Sequence, residues 1–242
     1  MATAKEHYEN FLASYYSWIS GGTELKVHEY RDFFRDQQIR PRLSKIAVDL
    51  GAGSGFQSIP LAEAGFQVTA IDMNHDLLAE LEKNARGLPI VTVEDDLLNF
   101  VDHRPAEIEV IVCMGDTLTH LNSLEDVRNL LESAYRAGTR QGFLLLGFRD
   151  LTAELTGLDR FIPVRSDATR IFTCFLEYEQ DHVRVYDVLY EMVRGQWQMR
   201  KSFFRKLRIS PQWTKEFLLK TGYRIQTYDV RAGLVTIVAR KP

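Results

Sequence analysis

Along the first 150 positions, apolar residues recur with two alternating periods. Short runs rich in β-branched residues, Ile46–Leu50, Gln67–Asp72, Ile90–Glu94, Val110–Met114 and Gly142–Phe148, read as strands buried on both faces. Between several of them, Phe56–Ala64, His75–Arg86 and Leu124–Ala137 space their apolar residues as helices do. Strands alternating with amphipathic helices predict βαβ units in a parallel sheet. From about Phe161 the period changes. Four longer runs, "FIPVRS", "RIFTCFLEYEQ", "VRVYDVLYEMV" and "WQMRKSFFRKL", are separated by turn-like Ser166-Asp167, Asp181-His182 and Gly195-Gln196, which predicts an antiparallel meander. The helical period returns at Gln212–Lys220, with Ser210 as cap, Pro211 in the first turn and Gly222 after the end. The strands Tyr223–Val230 and Leu234–Arg240 are joined too tightly for a parallel crossover, so they pair antiparallel. The expected fold is α/β. Residues 1–150 and 209–242 build a Rossmann-like seven-stranded sheet with an antiparallel terminal hairpin, residues 1–40 form a helical cover, and residues 151–208 form an inserted antiparallel β lid.

Composition narrows the function. The 242 residues are 45% hydrophobic and 26% charged, which fits a globular chain rather than a disordered one. A net charge of −3 argues against a nucleic-acid partner. The two cysteines, Cys113 and Cys174, sit in apolar runs and read as reduced core residues. With no apolar leader and no long apolar stretch, the expectation is a soluble cytoplasmic protein without a membrane partner. No residue spacing points to a metal or to a nucleophilic triad.

The chemistry gathers around "AVDLGAGSGFQS". Asp49 leads into a loop with Gly51, Gly53 and Gly55 at every second position, between a strand and a helix. That places a ligand at the carboxyl end of the first strand. The site of a dinucleotide fingerprint's third glycine is occupied by Phe56, and no P-loop lysine follows. The loop therefore suits a ligand without phosphate. Asp72, 17 positions past Gly55 at the end of the second strand, can accept both hydrogen bonds of a ribose diol or complement the next helix dipole. In "VEDDLLNF", Asp96 or Asp95 is placed to accept from an adenine amino group, with Leu97 covering the ring; a solvated acidic loop is the alternative.

Taken in order, "VDLGAGSG", Asp72, "EDDLLNF" and "VIVCMGDTLTHL" resemble the motifs of class I S-adenosylmethionine-dependent methyltransferases. The nearer likeness is to glycine N-methyltransferase-like enzymes of small molecules, whose "S-I-x-L-x-E-x-G-F-x-V-T" and "C-L-G-N-S-x-x-H-L" segments are matched from Ser58 to Thr69 and from Cys113 to Leu121. Met114, Asp116 and Thr117 depart from the second pattern. The resemblance implies S-adenosylmethionine as cofactor. It implies that the backbone of Gly51, Ala52 and Gly53 passes its methionine part, that Asp72 holds the ribose with Met73 against the adenine, and that Asp96 and Leu97 read the adenine edge. It also implies that Met114 and Gly115 lie under the sulfonium, that Asp116 faces the reaction chamber, and that "YENFLASYYSWISGG" folds over the cofactor. Tyr15, Tyr16 and Trp18 are then contacts; read without the family, that segment is an aromatic amphipathic helix docked on the sheet.

Methyl transfer needs alignment more than a strong nucleophile. His120 is a candidate catalytic proton acceptor, or else packs under the next helix. Tyr8, Tyr178, Tyr186 and Tyr190 are candidates for an acceptor pocket. From Arg160 to Arg208 ten basic residues face six acidic ones, so one or two of these arginines could clamp an anionic acceptor, or the charge belongs to a solvated outer face. The leading expectation is methyl transfer to the nitrogen or oxygen of a small molecule. Methylation of RNA or protein, non-catalytic cofactor binding, and, last, nicotinamide chemistry are the alternatives, and the sequence is compatible with a homodimer.

Overall fold

The computed structural model describes residues 4–103 and 107–242; residues 1–3 of the expected cover lie outside them. Among the described residues there are eleven strands: β1 (Ile46–Leu50), β2 (Gln67–Asp72), β3 (Ile90–Glu94), β4 (Ile108–Cys113), β5 (Gly138–Arg149), β6 (Phe161–Ser166), β7 (Arg170–Tyr178), β8 (His182–Val193), β9 (Gln196–Leu207), β10 (Arg224–Arg231) and β11 (Leu234–Arg240). One sheet has seven strands in the order β10-β11-β5-β4-β1-β2-β3, and the second has four in the order β6-β7-β8-β9. In the large sheet β5, β4, β1, β2 and β3 run parallel, and β11 pairs antiparallel with both β5 and β10. The α/β reading with its terminal hairpin and inserted meander describes this architecture.

Among the described residues five α-helices of six residues or more pack on the large sheet: α1 (Thr23–Asp36), α2 (Ser58–Glu63), α3 (His75–Asn84), α4 (Leu124–Ala137) and α5 (Pro211–Thr221). Period two in β1 sends Val48 and Leu50 into one core with Val127, Leu130 and Leu131 of α4 and Leu218 of α5. Ala47 goes the other way, into a core with Phe34 of α1 and Leu61 of α2. Helix starts are capped as their sequences imply. Asn74 Oδ1 accepts from Leu77 N at 2.9 Å, Ser123 Oγ from Asp126 N at 3.1 Å and Ser210 Oγ from Trp213 N at 3.3 Å, while Gly222 closes α5 at φ 110°.

Several boundaries differ from the sequence expectation, and three differences shape the site. The helix expected from Phe56 begins at Ser58, because Gly55 sits at φ 86° and turns the chain first. Strand β5 starts at Gly138, straight off α4, with a register shift against β4 between Ile108 and Val110. The aromatic N-terminal segment is not one helix: a π turn at Tyr8–Leu12 and a 3-10 turn at Ala13–Tyr15 precede a last turn at Tyr16–Ile19. Those changes of pitch rotate neighbouring aromatics to different sides, which decides the placement of Tyr15 and Tyr16 below. Among the described residues no helix is long and apolar enough to cross a membrane.

Candidate functional site

Two cavities lie at the carboxyl ends of the parallel strands. The first is a cleft holding ≈ 640 Å³ of empty space, its open mouth included, bounded by Gly51, Gly53, Asp72, Met73, Asp95 and Leu97, with Ala4, Lys5, Tyr8, Tyr16, Asn74, Leu77, Gly115, Thr117 and His120 completing it. The second is a chamber of ≈ 1760 Å³ on the same measure, between the strand ends, the N-terminal segment and the inserted sheet. Tyr8, Tyr16 and Gly115 line both, so they form the wall between them.

The three loop glycines have three different reasons. A Cβ on Gly51, at φ 72°, would run into the Thr117 side chain. A Cβ on Gly55 would strike Leu81 of α3, so that glycine serves helix packing. At Gly53 the nearest atom to an added Cβ is Tyr16 Cε1 at 3.5 Å, which leaves its backbone open to the cleft. The Ala52 side chain turns away from the cleft, into a core with Val27, Ile59 and Leu81.

Asp72 ends β2 on the rim. Its Oδ2 accepts from Gly53 N at 2.8 Å and its Oδ1 from Asn74 N at 2.8 Å. Burial raises its carboxyl above the ordinary value, opposed by these backbone bonds. The carboxylate thus fixes the glycine loop and keeps further lone pairs toward the cleft. At the end of β3 the two acids separate. Asp95 lines the cleft and bonds His103 Nε2 at 2.6 Å, whereas Asp96 Oδ1 accepts from Leu98 N at 2.9 Å and does not line the cleft. A short Leu97–His103 helical turn, which the sequence reading passed over, produces this split.

Asp49 is 1% exposed and does not line the cleft; its Oδ2 accepts from Ser58 Oγ at 2.6 Å, and its Oδ1 has no partner among the described residues. Burial pushes its carboxyl up to about 7 against the pull of Ser58. The folded state therefore keeps a proton that the unfolded chain loses above its ordinary value of 3.8, and stability falls as pH rises from there through about 7. Asp49→Asn is expected to raise resistance to urea at pH 8 by up to about 4 kcal/mol and to change it little near pH 4; equal denaturation midpoints at pH 8 would count against a buried charge.

Of the three aromatics expected against the cofactor, only Tyr16 lines the cleft; it stacks on Phe56 at 5.5 Å between centroids and 10° between planes. Tyr15 faces the inserted sheet, where its hydroxyl donates to Glu191 Oε2 at 3.1 Å and accepts from Arg200 Nη1 at 2.9 Å. Trp18 also faces that sheet, donating from Nε1 to Asp167 Oδ2 at 2.7 Å. The segment is tied to α3 by Glu80, which accepts from Ser17 Oγ at 2.5 Å and from Ser54 Oγ at 2.9 Å.

Met114 and Asp116 line the chamber. Asp116 stands at φ 75°, a left-handed position that aspartate tolerates better than most side chains. Its Oδ1 accepts from Arg149 N at 2.7 Å and its Oδ2 from Lys206 Nζ of β9 at 2.7 Å. Burial pushes its carboxyl up, yet Lys206, with help from Arg149, outweighs this and holds it down to about 2. His120 closes a 3-10 turn at Thr117–His120, with Nε2 3.4 Å from the Tyr8 hydroxyl and Nδ1 unpartnered. Burial, and then Lys206, push its imidazole down to about 3, so it is neutral and weakly basic.

The clamp expected from arginines of the insertion is not built: none of them lines the chamber, whose cations are Lys26, Arg149 and Lys206. Arg170, Arg184, Arg205 and Arg208 are occupied by Glu191, Glu177, Glu179 and Glu154. Tyr178, Tyr186 and Tyr190 do not line it either; Tyr186 stacks with Phe203 at 5.4 Å, on the side that period two turns away from the chamber. Sequence reasoning missed Asn74, Thr117 and Gln57. Asn74 alone carried a signal, as a helix cap directly after the strand-ending acid. Among the described residues no cluster of His, Cys, Asp and Glu could hold a metal ion.

Residues 47–142 match the family described as methyltransferase domain. This stretch is similar to methyltransferase domains. A glycine/sarcosine N-methyltransferase of Halorhodospira halochloris is 35% identical over 150 residues, 60% of this chain, and the chain spans about half, 54%, of that relative's length. Among solved structures, an S-adenosylmethionine-dependent methyltransferase from Clostridium acetobutylicum ATCC 824 superposes with a TM-score of 0.73 at 14% identity, covering 88% of this chain and 91% of that one. An amino pentose methyltransferase from Micromonospora echinaspora gives 0.72 at 13%, covering 91% and 92%. At such identities the likeness is one of fold, and coverage of this extent reaches beyond residues 47–142 into the inserted sheet.

Proposed function

We propose that the protein binds S-adenosylmethionine in the cleft and transfers its methyl group to a nitrogen or oxygen of a small molecule in the chamber. The observation that carries this reading is the thin wall of Tyr8, Tyr16 and Gly115 shared by the two cavities. The residues present fit the cofactor. Gly53 leaves its backbone open, Asp72 offers carboxylate lone pairs for a ribose, and Leu97 and Met73 supply apolar surface for an adenine. Among the described residues Lys5 is the one lysine of the cleft lining, which holds no arginine.

Bound there, S-adenosylmethionine supplies a methyl group already activated on a cationic sulfur. The rings of Tyr8 and Tyr16 favour a cation electrostatically and keep water from it. Gly53 and Asp72 would hold the cofactor, the wall of Tyr8, Tyr16 and Gly115 would set it against the chamber, and the methyl group it would supply would pass to the acceptor's lone pair, the sulfur keeping the bonding electrons and the acceptor losing a proton to solvent. Positioning of this kind is worth roughly 7–11 kcal/mol. Two unpaired cysteines accord with a cytoplasmic setting.

Incubation with methyl-labelled S-adenosylmethionine and fractionated small metabolites tests this. Label moving to a small molecule is the expected result; no binding of cofactor or of S-adenosylhomocysteine overturns it. His120→Gln is expected to lower kcat by less than tenfold and to leave no break between pH 6 and 7 attributable to it, because the imidazole is already neutral there. A loss of a thousandfold would make His120 the proton acceptor after all.

A further inference from the structure

The chamber is far larger than an amino acid as small as glycine would need, and most of its wall is apolar. Phe172, Leu176, Val185 and Phe204 of the inserted sheet line it together with Leu12 and Ile19 of the N-terminal segment. One carboxylate interrupts that wall. Asp187 lines the chamber yet is only 4% exposed. Its Oδ2 is bonded to His7 Nε2 at 2.9 Å, and His7 Nδ1 is bonded to Ser202 Oγ at 2.8 Å. The His7 ring is fixed from above by stacking on Phe204 at 4.4 Å between centroids. Among the described residues no lysine or arginine pairs with Asp187, and its Oδ1 takes no hydrogen bond. The other carboxylate there, Asp116, is already compensated by Lys206.

A carboxylate in an apolar wall is costly unless a donor or cation meets it. This one is held rigidly by one oxygen and presents the other to the cavity. It also stands beside the wall that separates acceptor from cofactor, since Tyr8 follows His7 in the chain and their rings are 6.2 Å apart. By contrast, an acceptor's carboxylate finds few free partners. Lys206 is taken by Asp116 at 2.7 Å and Lys26 by Glu29 at 2.7 Å, which leaves Arg149, half-exposed and 3.8 Å from Asp116, as the remaining cation of the lining.

We propose that the chamber takes an amine with a bulky apolar, ring-bearing body, and that Asp187, held by His7 and Ser202, is the residue that anchors its amino group. This rests on the methyl-transfer reading and names its substrate class. The apolar body lies against Phe172, Leu176, Val185 and Phe204, and the ammonium or amine donates to Asp187 Oδ1 next to Tyr8. Glycine fills little of this space and has no apolar body to lay against that wall.

The test has two stages. Binding of S-adenosylhomocysteine, read by thermal shift, judges the cofactor cleft alone. Protein saturated with it is then titrated calorimetrically with tyramine, 2-phenylethylamine and glycine. Both aryl amines are expected to bind at least tenfold tighter than glycine. Asp187→Asn is expected to weaken them tenfold or more while changing S-adenosylhomocysteine affinity less than twofold, a split that general unfolding would not produce. If that variant does not fold, the wild-type comparison still decides. Glycine binding as well as the aryl amines, aryl amines failing to bind the loaded protein, or equal affinity in a folded Asp187→Asn each overturns the proposal. Absence of S-adenosylhomocysteine binding overturns the functional reading and this proposal with it.

Discussion

Asp72→Ala is expected to reduce affinity for S-adenosylmethionine by a hundredfold or more, measured by calorimetry, while the ligand-free protein melts within a few degrees of the wild type. The asymmetry follows from what the carboxylate does. Bound ribose would donate to a charged acceptor, and each such bond is worth about 1.5–3 kcal/mol, so the loss of a pair exceeds the 1.4 kcal/mol of each tenfold step. The same side chain also receives Gly53 N and Asn74 N, so its removal loosens the loop that presents the cleft's open backbone. In the ligand-free fold the gain is small. Burial already opposes the charge, as its raised carboxyl shows, and removing it relieves that penalty while costing two backbone bonds. An undiminished affinity in the variant would mean that the cleft is not the cofactor site.

Lys206→Ala is expected to cost about 3–5 kcal/mol of stability at pH 7, because it strands Asp116 as a buried charge. Side chains of the pair are only 14% and 18% exposed, so water would do little to screen the loss. The pH dependence supplies a second signature. In the wild type the Asp116 carboxyl lies at about 2, below the ordinary 3.8, so its stabilising share is present above 3.8 and is lost as pH falls toward 2. Without Lys206, desolvation, the largest influence on that carboxyl, goes unopposed by the ion pair and pushes it upward. The sign reverses, and the variant should gain stability on acidification below neutral pH. Urea denaturation at pH 7 and pH 5 reads both effects. A variant as stable as wild type at pH 7 would show the pair to be an idle surface contact.

How far such residues could be read from the chain alone varies with their distance along it. The strand-ending Asp72 follows from a local pattern, an apolar run closing on an acid before a capped helix. The split between Asp95 and Asp96 does not, since both stand in the same acidic "EDD" and only the helical turn beginning at Leu97 sends Asp95 to the cleft. Tyr15 and Tyr16 are neighbours of the same type; a change of helical pitch between them puts one against Glu191 and the other against Phe56. The expected arginine clamp failed for a related reason. Charge totals report how many arginines the insertion has, and not which face of each strand carries them.

Local periodicity determined the order of strands and helices, the antiparallel terminal hairpin and the position of a glycine loop after the first strand. Each of these depends on neighbours within a few residues, whose hydrophobic spacing and glycine or proline content act the same way in any globular chain. Tertiary structure alone decided that Gly53 rather than Gly55 faces the cleft, that Lys206 meets Asp116 and that His7 holds Asp187. Those contacts join residues 90 and 180 positions apart, and pairings at that range depend on how the inserted sheet and the N-terminal segment pack over the strand ends, where no local spacing records them.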